Sequence, residues 1–206
     1  DTSLEAGVAV IVDGVYLNRT GLGLNDLTDI ARVEVLQGPQ GTLYGKNANA
    51  GVVNIVTKKP VIGDDEGFIE IESGDYNQER ITGGITKTLS DTSAMRFSFN
   101  KNEADGWMKN VADNSTANNE DDTTLSLKLY FNPSDDLSIV FSHSDTSKNG
   151  NCCAADSQPN NPVILAGAMV TGKTNQNNDT TDIIFSASDR PQCDLDSSLT
   201  SLKIDD

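Results

Sequence analysis

The sequence is poor in the side chains on which metal sites and nucleophilic active sites depend. Its 206 residues include one histidine, three cysteines and one tryptophan. No two cysteines form a CxxC motif, whereas a structural zinc site needs four nitrogen or sulfur ligands at characteristic spacing. A single histidine also leaves no credible Ser/His/Asp or Cys/His set. We therefore expect no metal site, no cofactor and no enzyme.

Positive charge and long apolar runs are scarce as well. Fifteen Lys and Arg residues face 31 Asp and Glu residues, for a net charge of −16, so nucleic acid is a poor partner. No apolar run approaches the roughly 18 residues of a transmembrane helix. The chain starts at Asp1 without Met or a signal sequence, and a strand-like run reaches Asp206 with no turn after it. Both ends look cut, which predicts a fragment.

The sequence pattern of residues 1–62 predicts a small mixed α+β unit. They carry 5 basic and 6 acidic residues, a net charge of −1. The apolar run 7–14 predicts a strand that ends in an Asp-Gly turn, and 32–36 and 51–57 predict two more strands. Residues 42–44 offer one helical turn.

Residues 63–206 change to weak period-two alternation. They carry 10 basic and 25 acidic residues, the remaining −15. The clearest segment is 123–131, where Leu and Phe alternate with polar residues. Five further segments resemble it: 67–74, 79–89, 95–100, 137–141 and 197–204. Short turns near 90 and 134 contrast with long polar links at 102–122 and 145–195. This alternation is typical of an outer-membrane β-barrel, but it also fits a soluble or surface β-sandwich that binds or adheres.

Residues 8–60 decide between these two architectures. They contain the run VDGVY at 12–16 and the run LTDIARVEVLQGPQGTLYGKNANAGVVNIVTKKP at 27–60. This ordered set resembles the second half of the plug domain of TonB-dependent outer-membrane receptors. The resemblance implies a mainly β fold, a partial transmembrane β-barrel preceded by a small mixed α+β plug. It implies a plug at 1–62 and the first barrel strands and loops at 63–206.

The resemblance also implies a function. Receptors of this family import a scarce nutrient complex, in the first place a ferric siderophore, and are energised through the inner-membrane TonB complex. The expected partners are TonB, an iron–siderophore or similar complex, and outer-membrane lipid, and the expected location is the outer membrane. A barrel of roughly 22 strands encloses a lumen that needs a plug, and this chain holds only the first few of them.

Two sets of site residues follow from the resemblance. Asn18, Arg19 and Leu22 lie in a loop that faces the external substrate in the family, although a plain loop would look the same. Arg32 and Glu34 lie two apart on a strand and therefore share a face. In the family such a pair meets charged groups on the inner barrel wall, and the alternative is a solvated polar face.

Two other motifs require an interpretation. Cys152, Cys153 and Cys193 lie in a polar region, which predicts one disulfide, Cys193 with Cys152 or Cys153, and an oxidising compartment. Residues 167–174 match the P-loop pattern, but the following residues 175–181 lack the apolar stripe of the helix that such a site requires. We therefore expect no nucleotide site.

Overall fold

A computed structural model describes residues 7–17, 28–45, 47–110, 114–134, 136–151, 184–185 and 194–205. The fold is mainly β. Its elements are β1 (Val8–Val12), β2 (Val15–Leu17), β3 (Ile30–Gln37), α1 (Gly41–Tyr44), β4 (Gly51–Thr57), β5 (Glu66–Ser73), β6 (Glu79–Ser90), β7 (Ser93–Ala104), β8 (Met108–Asn110), β9 (Thr116–Ala117), β10 (Glu120–Ser134), β11 (Leu137–Asn149), β12 (Ile184–Phe185) and β13 (Leu195–Asp205). In the described part of the chain, no helix is long and apolar enough to cross a membrane.

The first four strands form one sheet in the order β2-β1-β4-β3, called here the four-stranded sheet. β1 runs parallel to β4, and the other pairs are antiparallel. The two central strands are apolar nearly throughout, as expected of strands covered on both faces. Ala9, Ile11, Ala48 and Val52 form the buried core. The predicted Asp-Gly turn is present, with positive φ at both Asp13 and Gly14, as a tight turn between antiparallel strands requires.

A second, antiparallel sheet follows in the order β13-β11-β10-β7-β6-β5, called here the six-stranded sheet. A two-residue turn at 91–92 joins β6 to β7. The strands are longer than the alternation predicts, because β10 starts at Glu120 and β11 continues to Asn149. Both predicted links, 102–122 and 145–195, are therefore shorter than expected: the first ends before Glu120, and the second begins only after Asn149. Strand pairing continues here although both faces are polar, and a pattern of alternating polarity cannot detect such segments.

The two faces of the six-stranded sheet have inverted polarity. The apolar residues Ile69 and Ile71 are 68% and 71% exposed, whereas the charged residues Arg96 and Lys128 are 2% and 6% exposed. A soluble sheet buries its apolar face and leaves its charges in water. An apolar outside around a polar inside is instead the arrangement of an outer-membrane barrel wall. The six strands are therefore barrel strands, and not half of a soluble sandwich.

Candidate functional site

Arg96 joins the two sheets through a two-pronged ion pair. It lies on β7, on the inner face of the six-stranded sheet, beside Lys128 in the ladder. Its Nε donates to Asp29 Oδ2 at 2.7 Å and its Nη2 donates to Asp29 Oδ1 at 2.6 Å. The two side chains are 2% and 7% exposed. This parallel geometry is the strongest arrangement of an arginine with a carboxylate.

Lys128 makes the second ionic contact between the sheets. Its Nζ donates to Asp13 Oδ2 at 2.8 Å and also contacts the Thr57 hydroxyl. Asp13 sits in the turn after β1, where its carboxylate accepts hydrogen bonds from the Thr57 backbone N–H at 2.9 Å and from the Thr57 hydroxyl at 2.7 Å. The aspartate thus closes the end of its own sheet and binds the neighbouring sheet at the same time.

The wall around Arg96 is shaped to hold the guanidinium in place. Arg96 Nη1 donates to Glu66 at 3.1 Å and to the Thr86 hydroxyl. The Phe68 ring lies 6.0 Å from its Cζ. A Cβ at Gly84 would lie 2.7 Å from the Phe68 ring and 3.3 Å from Arg96 Nη2. A glycine is therefore required there, because any side chain would push the ring or the guanidinium aside.

The segment that leaves β4 also packs on this wall. Lys58 lies over the Phe68 ring at 5.4 Å, and Lys59 lies over the Tyr130 ring at 5.1 Å. Pro60 is fully buried. Cation–π contacts of this kind contribute about 0.5–2 kcal/mol each, depending on desolvation. The chain is thus fixed against the wall at the point where it passes from one sheet to the other.

All these contacts gather at one end of the four-stranded sheet. Asp13 follows β1, Asp29 precedes β3 and Thr57 ends β4, and the register places Ile30 opposite Thr57. A cavity of about 140 Å³ lies beside the ion pairs, lined by both aspartates, both cations and the hydroxyls of several serines on the six-stranded sheet. The two ion pairs, Arg96 with Asp29 and Lys128 with Asp13, thus fasten the four-stranded sheet to the six-stranded sheet.

Arg32 and Glu34 lie on an exposed part of β3. Arg32 Nε donates to Glu34 Oε1 at 2.6 Å, and Asn54 Nδ2 donates to Glu34 Oε2 at 2.8 Å. Their side chains are 60% and 39% exposed. The hydrogen bond from Arg32, with that from Asn54, holds the pKa of Glu34 below its ordinary value. The two residues share a face as predicted, and their contact with a barrel wall stays a prediction.

Other predicted residues fall outside the described ranges. The substrate-binding candidates Asn18, Arg19 and Leu22 are among them. So are the disulfide candidates Cys152, Cys153 and Cys193, and the P-loop-like residues 167–174. Their roles stay predictions.

Sequence reasoning missed the four charged residues that join the sheets. Arg96 and Lys128 lie on the polar face of two clearly alternating strands, each with a serine two positions away on one side. A cation on the inner face of a barrel strand needs an anion, and this is the signal that the pattern offered. The acidic partners, Asp13 and Asp29, look like ordinary turn residues, so the pairing itself carried no signal in the sequence.

Comparison with known proteins agrees with this geometry. The family model of the TonB-dependent receptor plug domain matches residues 2–52. The match covers most of the four-stranded sheet, and a barrel wall with an apolar exterior follows it. The chain belongs to the TonB-dependent outer-membrane receptors, and it resides in the outer membrane.

Individual relatives show which receptors of this family the chain resembles. The pesticin receptor of Yersinia pestis is 53% identical over 53 residues, 26% of this chain and 8% of the relative. The probable TonB-dependent siderophore receptor PirA of Acinetobacter baumannii is 32% identical over 143 residues, 64% of this chain and 19% of the relative. The crystal structure of the ferric yersiniabactin uptake receptor FyuA from Yersinia pestis superimposes with a TM-score of 0.65 at 30% identity, covering 70% of this chain and 23% of that one. The chain therefore spans less than a quarter of each of these proteins.

Proposed function

We propose that the complete receptor imports a ferric siderophore across the outer membrane and is energised through TonB. The observation that carries the proposal is the fastening of the four-stranded sheet to the polar inner face of the wall. Two ionic contacts, Arg96 with Asp29 and Lys128 with Asp13, hold this sheet against the inner face. Moving a plug held in this way requires work, which fits an energised importer and supports transport rather than catalysis.

The proposed substrate class rests on the relatives. A pesticin receptor, a siderophore receptor and a ferric yersiniabactin uptake receptor are among the proteins that this chain resembles. The stretch they share includes the plug residues, which lie across the path of any imported solute. A ferric complex of a small organic chelator is therefore the first substrate to test.

The test measures iron uptake by cells that carry or lack the complete receptor gene. Cells grown under iron limitation are given radiolabelled iron bound to a panel of siderophores, in parallel with a strain that lacks TonB. We expect uptake of at least one ferric complex to require both the receptor and TonB. Uptake that needs the receptor but continues without TonB would contradict the energised mechanism, and no dependence for any complex would contradict the substrate class.

Within the chain, we propose a plug at residues 1–62 and barrel strands and loops at 63–206. The division is supported by the change of sheet between Thr57 and Glu66.

We further propose that Asn18, Arg19 and Leu22 contact the substrate. In the complete receptor, Arg19→Ala should weaken binding of the ferric complex without increasing leakage of small solutes. Unchanged affinity would remove this loop from the binding site.

The same proposal assigns Arg32 and Glu34 to a contact between the plug and the wall of the complete barrel. Arg32→Ala should then leave substrate binding intact, speed hydrogen exchange over residues 32–36 and raise leakage of small solutes. Arg19→Ala is its matched control, since it removes the same side chain from the same domain. Unchanged exchange and leakage would mean that Arg32 and Glu34 face water.

A further inference from the structure

The turn that joins β5 to β6 holds a tyrosine in a backbone conformation that tyrosine rarely adopts. Tyr76 has a φ of +58°, in the left-handed region. Every other non-glycine residue with positive φ in the described part of the chain is an aspartate or an asparagine, whose short polar side chain tolerates this conformation. A bulky ring gains no such tolerance, and strain of this kind persists only where the surrounding contacts impose it. The turn therefore carries a tyrosine at a position where an asparagine or a glycine would be more stable.

Hydrogen bonds from two sides hold the strained turn in place. Within the turn, the Gly74 backbone N–H donates to the Gln78 carbonyl oxygen at 2.9 Å. Asp105, the residue after β7, binds the turn from the next connection. Its backbone N–H donates to the Tyr76 carbonyl oxygen at 2.8 Å, and its Oδ2 accepts a hydrogen bond from Asn77 Nδ2 at 2.6 Å. These contacts fix the backbone from which the tyrosine ring projects.

The turn lies at the outer mouth of the barrel. It is at the end of the wall that carries the long connection between β7 and β10, opposite to the two-residue turn at 91–92, and the long loops of such barrels are extracellular. Gln78 Nε2 donates to Asn102 Oδ1 at 3.3 Å. Asn102 is buried and lies on the same face of β7 as Arg96, so the turn is tied to the inner side of the wall. Tyr76, which is 51% exposed, therefore lies at the entrance to the lumen with surface free for a ligand.

We propose that Tyr76 contacts the imported ferric complex and stacks on an aromatic ring of its chelator, a phenolate or a catecholate. Two aromatic rings attract each other only in offset or edge-to-face arrangements, so a ring whose backbone is fixed in advance loses less freedom on binding. An aliphatic chelator makes contacts without a preferred direction and would gain little from a strained turn. The inference rests on the proposed import of a ferric siderophore, and it adds the chemistry of the chelator.

The first variant separates the ring from the backbone strain. Tyr76→Asn removes the ring and places in the turn a residue that tolerates positive φ. In the complete receptor, hydrogen exchange at residues 74–78 should stay at the wild-type rate or slow by up to about fivefold. Affinity for an aryl ferric complex should fall by about tenfold or more, because the ring contact and its buried area are lost. Tyr76→Phe keeps the ring and should bind like wild type. Faster exchange in Tyr76→Asn, with unchanged affinity, would mean that the ring only stabilises the turn.

A second variant tests whether the turn positions the ring. Asp105→Ala removes the carboxylate that Asn77 binds but leaves Tyr76 in place, so exchange at residues 74–78 should quicken and affinity should fall. Adding Tyr76→Asn should then lose less affinity than the two single effects combined, since both act on the same contact. Asp105→Asn keeps an acceptor oxygen and should restore binding. Asp65→Ala is the matched control: its carboxylate also accepts a backbone hydrogen bond from β6, but at the opposite end of the wall, and affinity should not change.

Binding is measured by calorimetry on the purified complete receptor with one ferric complex of each chelator class: a phenolate, a tris-catecholate and a trihydroxamate. We expect wild type to bind an aryl complex and Tyr76→Asn to lose affinity for it. A receptor that binds and imports only the trihydroxamate would overturn the inference and leave the proposed import intact. Equal losses for aryl and hydroxamate complexes, or no loss in Tyr76→Asn, would also overturn it. Binding of none of the three complexes would count against the proposed function and this inference together.

Discussion

Removing the charge of Arg96 is the most direct test of the fastening between the sheets. In Arg96→Met the side chain keeps an apolar stem, but Asp29, 7% exposed, loses its two-pronged partner. Leaving one member of a buried ion pair uncompensated costs about 3–5 kcal/mol. The contact with Glu66 adds little, because that carboxylate is 54% exposed and exposed pairs contribute about 0–1 kcal/mol.

Hydrogen exchange in the complete receptor measures this loss. A cost of about 3–5 kcal/mol corresponds to between about a hundredfold and a few thousandfold in the local opening equilibrium. The gain in exchange should appear at the ends of β3 and β4 nearest to Asp29, since these must detach from the wall. Lys87→Met is the matched control: it removes a cation from β6, where Lys87 and its partner Asp65 are 59% and 42% exposed, and exchange should change little.

A double substitution distinguishes the loss of the ion pair itself from the cost of leaving Asp29 buried without a partner. Arg96→Met with Asp29→Leu removes both ions, and replacing a buried pair by apolar residues is often close to neutral. The double variant should therefore recover much of the protection that Arg96→Met loses. Two results would show that the pair does not hold the sheets together. One is wild-type hydrogen exchange in Arg96→Met, and the other is a double variant whose loss of protection equals the sum of the two single losses.

Three further outcomes follow from the same geometry. Lys128→Met should loosen the end of β1 by about 1–3 kcal/mol, less than Arg96→Met because Asp13 is 19% exposed, and exchange near residue 13 would show it. The pKa of Glu34 is lowered below its ordinary 4.5, first by the hydrogen bond from Arg32, so its contribution to stability is present above pH 4.5 and is lost as the pH falls through the lowered pKa. Glu34→Gln should abolish that acid dependence of exchange in β3, and persistence of the dependence would assign it to another group. Mass spectrometry without reductant should find one disulfide in the receptor that Cys193→Ser abolishes, and three freely alkylated thiols would contradict it.

The parts of the fold that rest on local rules were predictable. The apolar runs of β1 and β4, the Asp-Gly turn at 13–14 and the alternation of β10 each follow from a pattern within a few residues. The ends of the long strands were not. At 145–149 both faces of β11 are polar, so the period of two disappears while pairing with β10 continues.

The candidate site was less predictable, because its contacts join residues far apart in the chain. Arg96 and Asp29 are separated by 67 positions, and Lys128 and Asp13 by 115. Period-two alternation does place both cations on the polar face of their strands. The identity of each anion depends on how two sheets meet, and no local rule describes that.

Apolar and charged residues thus carry different information in this chain. An apolar side chain on a barrel strand needs only lipid around it, so its position in the alternation suffices to place it. A buried cation needs one particular partner at hydrogen-bond distance, because its attraction must offset the loss of water. The partner can lie anywhere in the chain that the fold brings near, and here both partners precede the strands they bind. For this reason, the lipid-facing side of the wall can be read from the sequence, whereas the ion pairs that fasten the four-stranded sheet to it emerge only from the structure.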